Sequence, residues 1–248
     1  MNKYIFDEEE IPYGILGQFG LTPEMIEDLP ARAYIDILQG RCSPLLPITM
    51  KDDGGNTVDA RTRFKLTRLD DDVDVLFLPR LNRCELGSYS EDEQESLRSG
   101  KVIVSHAPDD GSVKCFVQVD PGTNQVLYIP TPVIIRNLMG VIDAFHLCTD
   151  DIRMVQDGEP VSFRCADEIM TCGIDLTEKT GIRMIVADRA QWLSERGTDR
   201  FDSYNFGIYG CWMKDGKGNL GYVSEEDYTD EMWAEQEKAI ARNIGMKR

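Results

Sequence analysis

The chain has 248 residues, of which 42% are hydrophobic and 29% are charged, and this composition is typical of a folded globular protein rather than a disordered or fibrous one. It contains 44 Asp and Glu residues against 27 Lys and Arg residues, which gives a formal net charge of −17. Proteins that hold duplex DNA or an anionic membrane need basic surfaces. The composition therefore argues against direct nucleic-acid binding and against a membrane partner.

The first predicted unit covers residues 1–86 and begins with helical segments. Thr22 followed by Pro23 is typical of a helix start, Pro30 interrupts the helix, and a second helical segment ends at Gly40. Three strands are then predicted over residues 45–50, 58–67 and 73–78. This unit is therefore expected to combine helices with a small antiparallel sheet.

Residues 87–145 form the second predicted unit. Ser90 and Glu93 have the spacing of a capping box, in which each side chain accepts a hydrogen bond from the backbone N–H of the other residue. The helix is predicted to end at Gly100. A three-stranded meander over residues 101–105, 113–119 and 126–129 follows, and a buried connecting helix begins near Pro132.

The third predicted unit, residues 146–197, repeats this order. Thr149 is the predicted helix cap, Gly158 ends the helix, and strands follow over residues 161–164, 169–175 and 182–185. The predicted helix ends at Gly40, Gly100 and Gly158 are almost evenly spaced along the chain. Such a period suggests duplicated units, although a helix, a glycine and a hairpin also form a common local pattern, and the sequence leaves both explanations open.

The last segment, residues 198–248, departs from the pattern. An aromatic strand is predicted over residues 204–213, a turn over 215–219, a second strand over 220–223, and a final helix from Thr229. The expected fold class is therefore α+β, with repeated units of a helix plus an antiparallel three-stranded meander, and with a C-terminal hairpin and helix.

The cysteines and the N-terminal residues predict a cytoplasmic location. The seven cysteines contain no C-x-x-C pair, which favours reduced thiols over a disulfide framework or a zinc site. Residues 7–10 are all acidic where an export signal needs apolar residues. No later apolar stretch approaches the roughly 18 to 20 residues of a membrane-spanning helix.

A group of motifs near the start of the chain consists of Ile11-Pro12, Leu16, Gly20-Leu21-Thr22 and Ile37-Leu38-Gln39-Gly40. These motifs resemble the opening of an uncharacterised family found in Bacteroides-type gut bacteria. Residues 90–100, 116–120 and 123–130 are similar to a second domain of unknown function that usually follows the first. The resemblance covers roughly residues 11–140. It implies carriage by a mobile or conjugative element, and it implies no known activity, cofactor or catalytic residue.

Motifs of common enzyme chemistry are absent from the sequence, so no catalytic residue, cofactor or metal is predicted. His146 and Cys148 have a spacing that could serve a nucleophile and its base, but a role at a helix cap or in the core is favoured. The acidic run 70–74 could hold a cation, and residues 215–219 resemble the start of a calcium loop. Both are better explained as hairpin turns.

The candidate partner-binding residues lie near the C-terminus. Aromatic side chains beside glycines can form a platform for a peptide or a base, although a core strand pair packed against the last helix through Trp233 is favoured. The acidic residues could compete for a basic partner. The candidates are Tyr204, Phe206, Tyr209, Trp212, Glu225, Glu226 and Asp227.

Three functional hypotheses follow from the sequence. The first is a noncatalytic cytoplasmic module that binds a protein partner and serves a mobile element. The second is an acidic DNA mimic that occupies a nucleic-acid-binding protein, for which carboxylates would be spaced like duplex phosphates. The third is an enzyme with a carboxylate-based pocket that the sequence does not reveal.

Overall fold

The computed structural model describes residues 5–51, 54–70, 72–108, 111–195 and 201–245, and these ranges form an α+β fold. The helices are α1 (Tyr13–Gly17), α2 (Pro23–Glu27), α3 (Ala31–Leu38), α4 (Glu91–Arg98), α5 (Thr131–Phe145), α6 (Thr149–Gln156), α7 (Arg189–Ser194) and α8 (Asp230–Gly245). The strands are β1 (Leu46–Lys51), β2 (Thr57–Leu69), β3 (Asp72–Pro79), β4 (Ile103–His106), β5 (Lys114–Val119), β6 (Val126–Pro130), β7 (Val161–Cys165), β8 (Glu168–Ile174), β9 (Ile182–Ile185), β10 (Tyr204–Phe206), β11 (Gly210–Lys214) and β12 (Leu220–Ser224).

The strands form four antiparallel sheets of three strands, each connected in chain order as a meander. The predicted α+β class with repeated helix and meander units is therefore confirmed. The predicted hairpin, β11 and β12, and the final helix α8 are also present. However, the single aromatic strand predicted over residues 204–213 is wrong, because a turn at residues 207–209 divides it into β10 and β11, so that the C-terminal segment holds a fourth meander.

The helices that precede the second and third meanders, α4 and α6, are capped at equivalent positions. In α4, the N–H of Glu93 donates to Ser90 Oγ, and the N–H of Ser90 donates to Glu93 Oε2 at 2.9 Å. In α6, the N–H of Asp151 donates to Cys148 Sγ, and that thiol donates to Asp151 Oδ2 at 3.0 Å. The cap of α6 is thus Cys148 rather than the predicted Thr149.

The second and third meanders share another equivalence, an aspartate after the middle strand. Asp120 follows β5, and its carboxylate accepts hydrogen bonds from the N–H of Gly122 and from the hydroxyl of Thr123. Asp175 follows β8 and accepts from the N–H and the hydroxyl of Thr177. Both carboxylates are buried, so these bonds satisfy oxygens that water does not reach.

The chain divides into two compact units. Unit 1 consists of residues 1–79 and 199–248, and unit 2 consists of residues 80–198. Each of the four segments predicted from the sequence holds one meander. The structure groups these meanders in pairs, with the first and fourth in unit 1 and the second and third in unit 2. The division into four separate domains stays a prediction.

The core of unit 1 joins residues that are far apart in the chain. Trp212 and Leu220 from the fourth meander belong to the same buried cluster as Phe64 of β2. The indole N–H of Trp212 donates to the carbonyl of Met25 at 2.8 Å, and Arg61 donates to the carbonyl of Leu220 at 2.9 Å. Burial of a large indole and these two bonds fix the fourth meander on the N-terminal half of unit 1.

Gln118 connects the second and third meanders within unit 2. It lies on β5 and is buried. Its Nε2 donates to Asp175 Oδ1 at 3.1 Å, and its Oε1 accepts from the N–H of Leu176 at 2.7 Å. Both ends of a buried amide are therefore satisfied by the neighbouring meander.

Candidate functional site

The aromatic side chains of the fourth meander are divided between its two faces. Trp212 of β11 lies opposite Asn205 of β10 and Tyr222 of β12, so these three share one face of the sheet. Trp212 is 0% exposed, and its ring lies 5.3 Å from that of Tyr222. Trp212 was a candidate for partner binding, but the structure places it in the core of unit 1.

The other face carries an aromatic row of four half-buried or exposed rings. Tyr204 and Phe206 are stacked with their centroids 5.9 Å apart, Phe206 meets Tyr228 edge-on at 5.7 Å, and Tyr228 meets Trp233 edge-on at 5.1 Å. The hydroxyl of Tyr204 donates to Glu231 of α8. Tyr204 and Phe206 thus pack towards α8, which agrees with the prediction that the aromatic strands pack against the last helix through Trp233.

A short loop between β10 and β11 is held by a buried carboxylate from the other end of the chain. Asp28 ends α2 and is 4% exposed. Its Oδ1 accepts from the N–H of Ile208 at 2.6 Å, and its Oδ2 accepts from the N–H of Tyr209 at 3.0 Å and from the hydroxyl of Tyr222 at 2.6 Å. A buried carboxylate is costly unless it is hydrogen-bonded, and these donors meet that requirement.

The two glycines that flank the loop permit this close approach. A Cβ on Gly207 would lie 2.1 Å from the carboxylate carbon of Asp28, and a Cβ on Gly210 would lie 2.5 Å from the hydroxyl of Tyr222. The N–H of Gly207 also donates to the carbonyl of Gly210 at 2.8 Å. Residues without a Cβ are therefore needed at both ends of the loop.

Electrostatics keep the groups around Asp28 protonated. Burial and the hydrogen bond to Asp28 raise the pKa of the Tyr222 phenol well above its usual value, so that Tyr222 remains a donor. Burial also raises the pKa of Tyr228. Burial raises the pKa of the Cys211 thiol to about 11. At neutral pH Tyr222, Tyr228 and Cys211 are therefore neutral.

The loop held by Asp28 presents two apolar side chains to solvent. Ile208 is 79% exposed, the highest value for any large hydrophobic residue in the described ranges, and Tyr209 is 45% exposed. An isolated exposed apolar residue is ordinary on a protein surface. The unusual feature here is that the backbone of these two residues is held by hydrogen bonds to a buried side chain, Asp28.

An acidic turn lies directly beside this loop. Glu225, Glu226 and Asp227 are exposed and form a short 3₁₀ turn after β12. The N–H of Glu225 donates to the carbonyl of Tyr209 at 2.9 Å. We call Ile208, Tyr209 and this acidic turn the tip surface. The structure thus brings together four of the seven candidate residues, whereas Tyr204 and Phe206 belong to the aromatic row and Trp212 to the core.

The three other candidate motifs have structural roles. In the acidic run 70–74, residues 72–74 belong to β3 and pair with the end of β2 as in a hairpin, whereas Asp71 lies outside the described residues. Asp215 accepts from the N–H groups of Lys217 and Asn219, both at 2.8 Å, and so organises the turn between β11 and β12. In the parts of the chain that the structure describes, no group of three or more His, Cys, Asp and Glu residues is placed to hold a metal ion.

His146 and Cys148 occupy the ends of two successive helices. His146 caps the C-terminus of α5 with φ of 52°, and its N–H donates to the carbonyl of Ile142 at 2.8 Å. Cys148 caps the N-terminus of α6, where its thiol faces Asp151. Of the two roles favoured for this pair, a helix cap or a place in the core, the structure shows the helix cap for both residues.

Asp28 and Ile208 are the residues that the sequence did not identify. Asp28 is 180 residues from the backbone that it holds, and no local pattern reports so distant a contact. The one available signal was the pair of glycines, Gly207 and Gly210, around an apolar and an aromatic residue. Glycines at such positions indicate a close approach of backbone to another group.

Comparisons with known proteins identify no relative of this chain. No protein-family model matches it, and neither curated proteins nor solved structures show significant similarity to it. Among the described residues, none of the helices combines the length and the apolar character needed to cross a bilayer.

Proposed function

We propose that the protein is a noncatalytic binding module whose tip surface docks on a basic segment of another protein. The observation that carries this proposal is the exposed Ile208 on a loop whose backbone is fixed by buried Asp28. Binding sites in protein interfaces concentrate their energy in a few apolar or aromatic anchors. Ile208 and Tyr209 have the exposure and the chemical character of such anchors.

The fixed backbone favours binding because little order must be created on docking. Immobilising a side chain at an interface costs about 0.5–1.5 kcal/mol, and ordering a loop adds to this cost. The loop is already ordered when the chain folds, because Asp28 accepts hydrogen bonds from the N–H groups of Ile208 and Tyr209. Complete burial of an isoleucine side chain contributes about 1.5–3 kcal/mol, so a pocket for Ile208 in the partner would yield a net gain.

Charge complementarity identifies the kind of partner. Three carboxylates, from Glu225, Glu226 and Asp227, border the apolar tip, and the whole chain carries −17. Such a field attracts basic surfaces and repels acidic ones, with effects chiefly on the association rate and on specificity. The partner segment should therefore combine an apolar pocket with lysine or arginine side chains at its rim.

The proposed setting is the cytoplasm of a bacterium that carries a mobile element. The resemblance of residues 11–140 to a mobile-element family and the lack of a C-x-x-C motif among the seven cysteines support this setting. Sequencing of the genomic neighbourhood tests it, because genes for conjugation or integration should lie nearby. A neighbourhood of housekeeping genes would argue against it.

Photo-crosslinking from position 208 tests the docking role. Benzoylphenylalanine replaces Ile208 in one variant and, as a matched control, Leu69 in another, because Leu69 is an exposed aliphatic residue of the same unit. Crosslinking is performed in cells of the natural host. We expect a protein that crosslinks from position 208 and not from position 69, and that binds the purified wild-type chain directly.

Two variants then test the named contacts with that purified protein. Ile208→Asp and Glu226→Lys should each weaken its binding about tenfold or more, as the loss of an anchor and the reversal of a charge imply. Both side chains are exposed, so folding should be unaffected. Identical crosslinks from positions 208 and 69, or a partner that binds Ile208→Asp as well as the wild type, would refute the proposal.

A further inference from the structure

Unit 2 contains a cavity of about 700 Å³ that none of the predicted sites includes. Five segments form it: residues 84–86, the end of α4 with the residues after it, the end of β5 with the turn that follows, residues 158–160 after α6, and α7. All of its lining residues belong to unit 2. Cavities that bind small molecules span about 300–1,000 Å³, so this volume suits a small ligand.

The charge of the lining is opposite to that of the chain. Three cationic residues, Arg98, Lys101 and Arg189, line the cavity, against the single carboxylate of Glu159. Glu159 is engaged in an ion pair with Arg189. Lys101 makes no ion pair with any carboxylate in the described ranges. A chain with 44 acidic residues thus exposes a predominantly cationic cavity to a small molecule.

Two backbone N–H groups at the cavity wall already have hydrogen-bond partners and do not bind a ligand. Lys101 N–H donates to the carbonyl of Ser96, and Glu159 N–H donates to the carbonyl of Met154, which closes the ends of α4 and α6 in the same way. The buried amide of Gln118 is satisfied at both ends by the third meander. The polar groups that remain for a ligand are therefore mainly the charged side chains.

The rest of the lining is largely apolar. It includes aliphatic side chains from α4, from the end of β5 and from α7, among them Leu97, Val119 and Leu193. Cys84 is also part of the lining, and burial with the nearby charge of Glu85 raises the pKa of its thiol, so it contributes a neutral group. The walls can thus cover an apolar body while the cations meet an acidic group.

We propose that this cavity binds a small organic anion that joins a carboxylate or phosphate group to an apolar body. Lys101 and Arg189 would pair with the acidic group, and Leu97, Val119 and Leu193 would cover the apolar part. Charge-assisted hydrogen bonds are among the stronger ones in proteins, and a bidentate guanidinium contact adds geometric specificity. This proposal is independent of the tip surface, which lies in unit 1.

A pair of fluorescent probes tests the proposal with the full chain. Dansylglycine carries a carboxylate on an apolar ring system, whereas dansylamide has the same rings and no charge. Fluorescence titration should show one dansylglycine per chain and at least tenfold weaker binding of dansylamide. Displacement of dansylglycine by benzoate or by phenyl phosphate then shows which acidic group the cavity prefers.

Matched variants locate the binding. Lys101→Gln should weaken dansylglycine binding about tenfold and leave dansylamide binding unchanged, and Leu193→Glu should weaken the binding of both probes. Lys179→Gln is the control, because Lys179 is an exposed lysine of unit 2 outside the cavity. Equal affinity for the two probes, equal effects of Lys101→Gln and Lys179→Gln, or a dissociation constant weaker than about 1 mM would overturn the proposal.

Discussion

Asp28 is a buried carboxylate whose hydrogen-bond donors lie about 180 residues away in the chain. It holds the N–H groups of Ile208 and Tyr209 and the hydroxyl of Tyr222, and each donor would lose its partner without it. The cost of an unsatisfied buried donor exceeds the net gain from an ordinary hydrogen bond. Asp28 therefore determines the geometry of the tip surface although it contributes nothing to its exterior.

Substitution of Asp28 should reveal this role as a loss of stability. Asp28→Ala should lower the free energy of unfolding by about 2–4 kcal/mol, because three donors lose their acceptor. Asp28→Asn should cost less, since its amide oxygen can still accept from the loop and its amide NH2 can donate to the hydroxyl oxygen of Tyr222. Urea denaturation measures both.

Glu27→Ala is the matched control for these variants, because Glu27 is the exposed neighbour of Asp28. It should change the free energy of unfolding by no more than about 0.5 kcal/mol. Equal losses for Asp28→Ala and Glu27→Ala would show that the hydrogen bonds of Asp28 contribute little to stability.

Two buried thiols should make the protein less stable at alkaline pH. Burial raises the pKa of Cys172 and that of Cys211 to about 11 in the folded state, whereas unfolded cysteine has a pKa near 8.5. Above that value the unfolded chain releases protons that the folded chain retains. The free energy of unfolding should therefore fall between about pH 8.5 and 11, by at most about 1.4 kcal/mol per pH unit for each thiol.

Urea denaturation across this alkaline range measures the slope. Cys172→Ala should reduce the slope, whatever its effect on stability at neutral pH. Exposed Cys148→Ala is the comparison, because burial is the cause of the raised pKa of Cys172 and Cys148 is not buried. A free energy of unfolding that stays constant from about pH 8.5 to 10.5 would contradict the assignment.

At the scale of the element, the caps of α4 and α6 are equivalent positions filled by different chemistry. Ser90 and Cys148 each precede the first residue of their helix, and both accept from its third N–H. A hydroxyl is a better acceptor than a thiol, which accepts hydrogen bonds only weakly. The cap of α4 should therefore contribute more to the stability of the folded chain than the cap of α6 does.

Substitution at the two caps tests this difference. Ser90→Ala should lower the free energy of unfolding by about 1 kcal/mol. Cys148→Ala should cost less, and Cys148→Ser should leave stability unchanged or raise it, because it restores a preferred cap residue. Thermal unfolding followed by circular dichroism measures all three. A larger loss for Cys148→Ser than for Ser90→Ala would show that the thiol has a role beyond capping.

Local sequence signals predicted most of the elements and few of the contacts between them. The capping box at Ser90, the glycine helix ends and the turn at Asp215 depend on residues within about five positions of one another, so they are visible in the sequence. The sequence does not predict the break between β10 and β11, because the loop there is held by Asp28, 180 residues away. It predicts the tip surface only in part, since it identifies Tyr209 and the acidic turn as candidates and does not identify Ile208.

At the scale of the whole molecule, unit 1 is assembled from two separate stretches of chain, whereas unit 2 is continuous. Trp212 and Leu220 complete a core that otherwise consists mainly of side chains from the N-terminal stretch, 1–79. Removal of so large an aromatic side chain from a core typically costs about 3–5 kcal/mol. The N-terminal stretch alone should therefore lack a complete core.

Expression of fragments tests this division. Residues 80–198 should fold alone, with a cooperative thermal transition and dispersed amide signals in an NMR spectrum. Residues 1–79 should not fold alone, and coexpression with residues 199–248 should restore their structure. A cooperative transition for residues 1–79 by themselves would show that Trp212 and its meander are dispensable for the core.

The split of unit 1 also sets an order of events during translation. The ribosome completes residues 80–198 before it makes Trp212, so the sequence of unit 2 is entirely available while unit 1 still lacks part of its core. Domains generally fold as units once their residues have emerged. The N-terminal stretch of unit 1 should therefore expose apolar surface until the fourth meander leaves the exit tunnel. Nascent-chain experiments should find it bound by chaperones during that time.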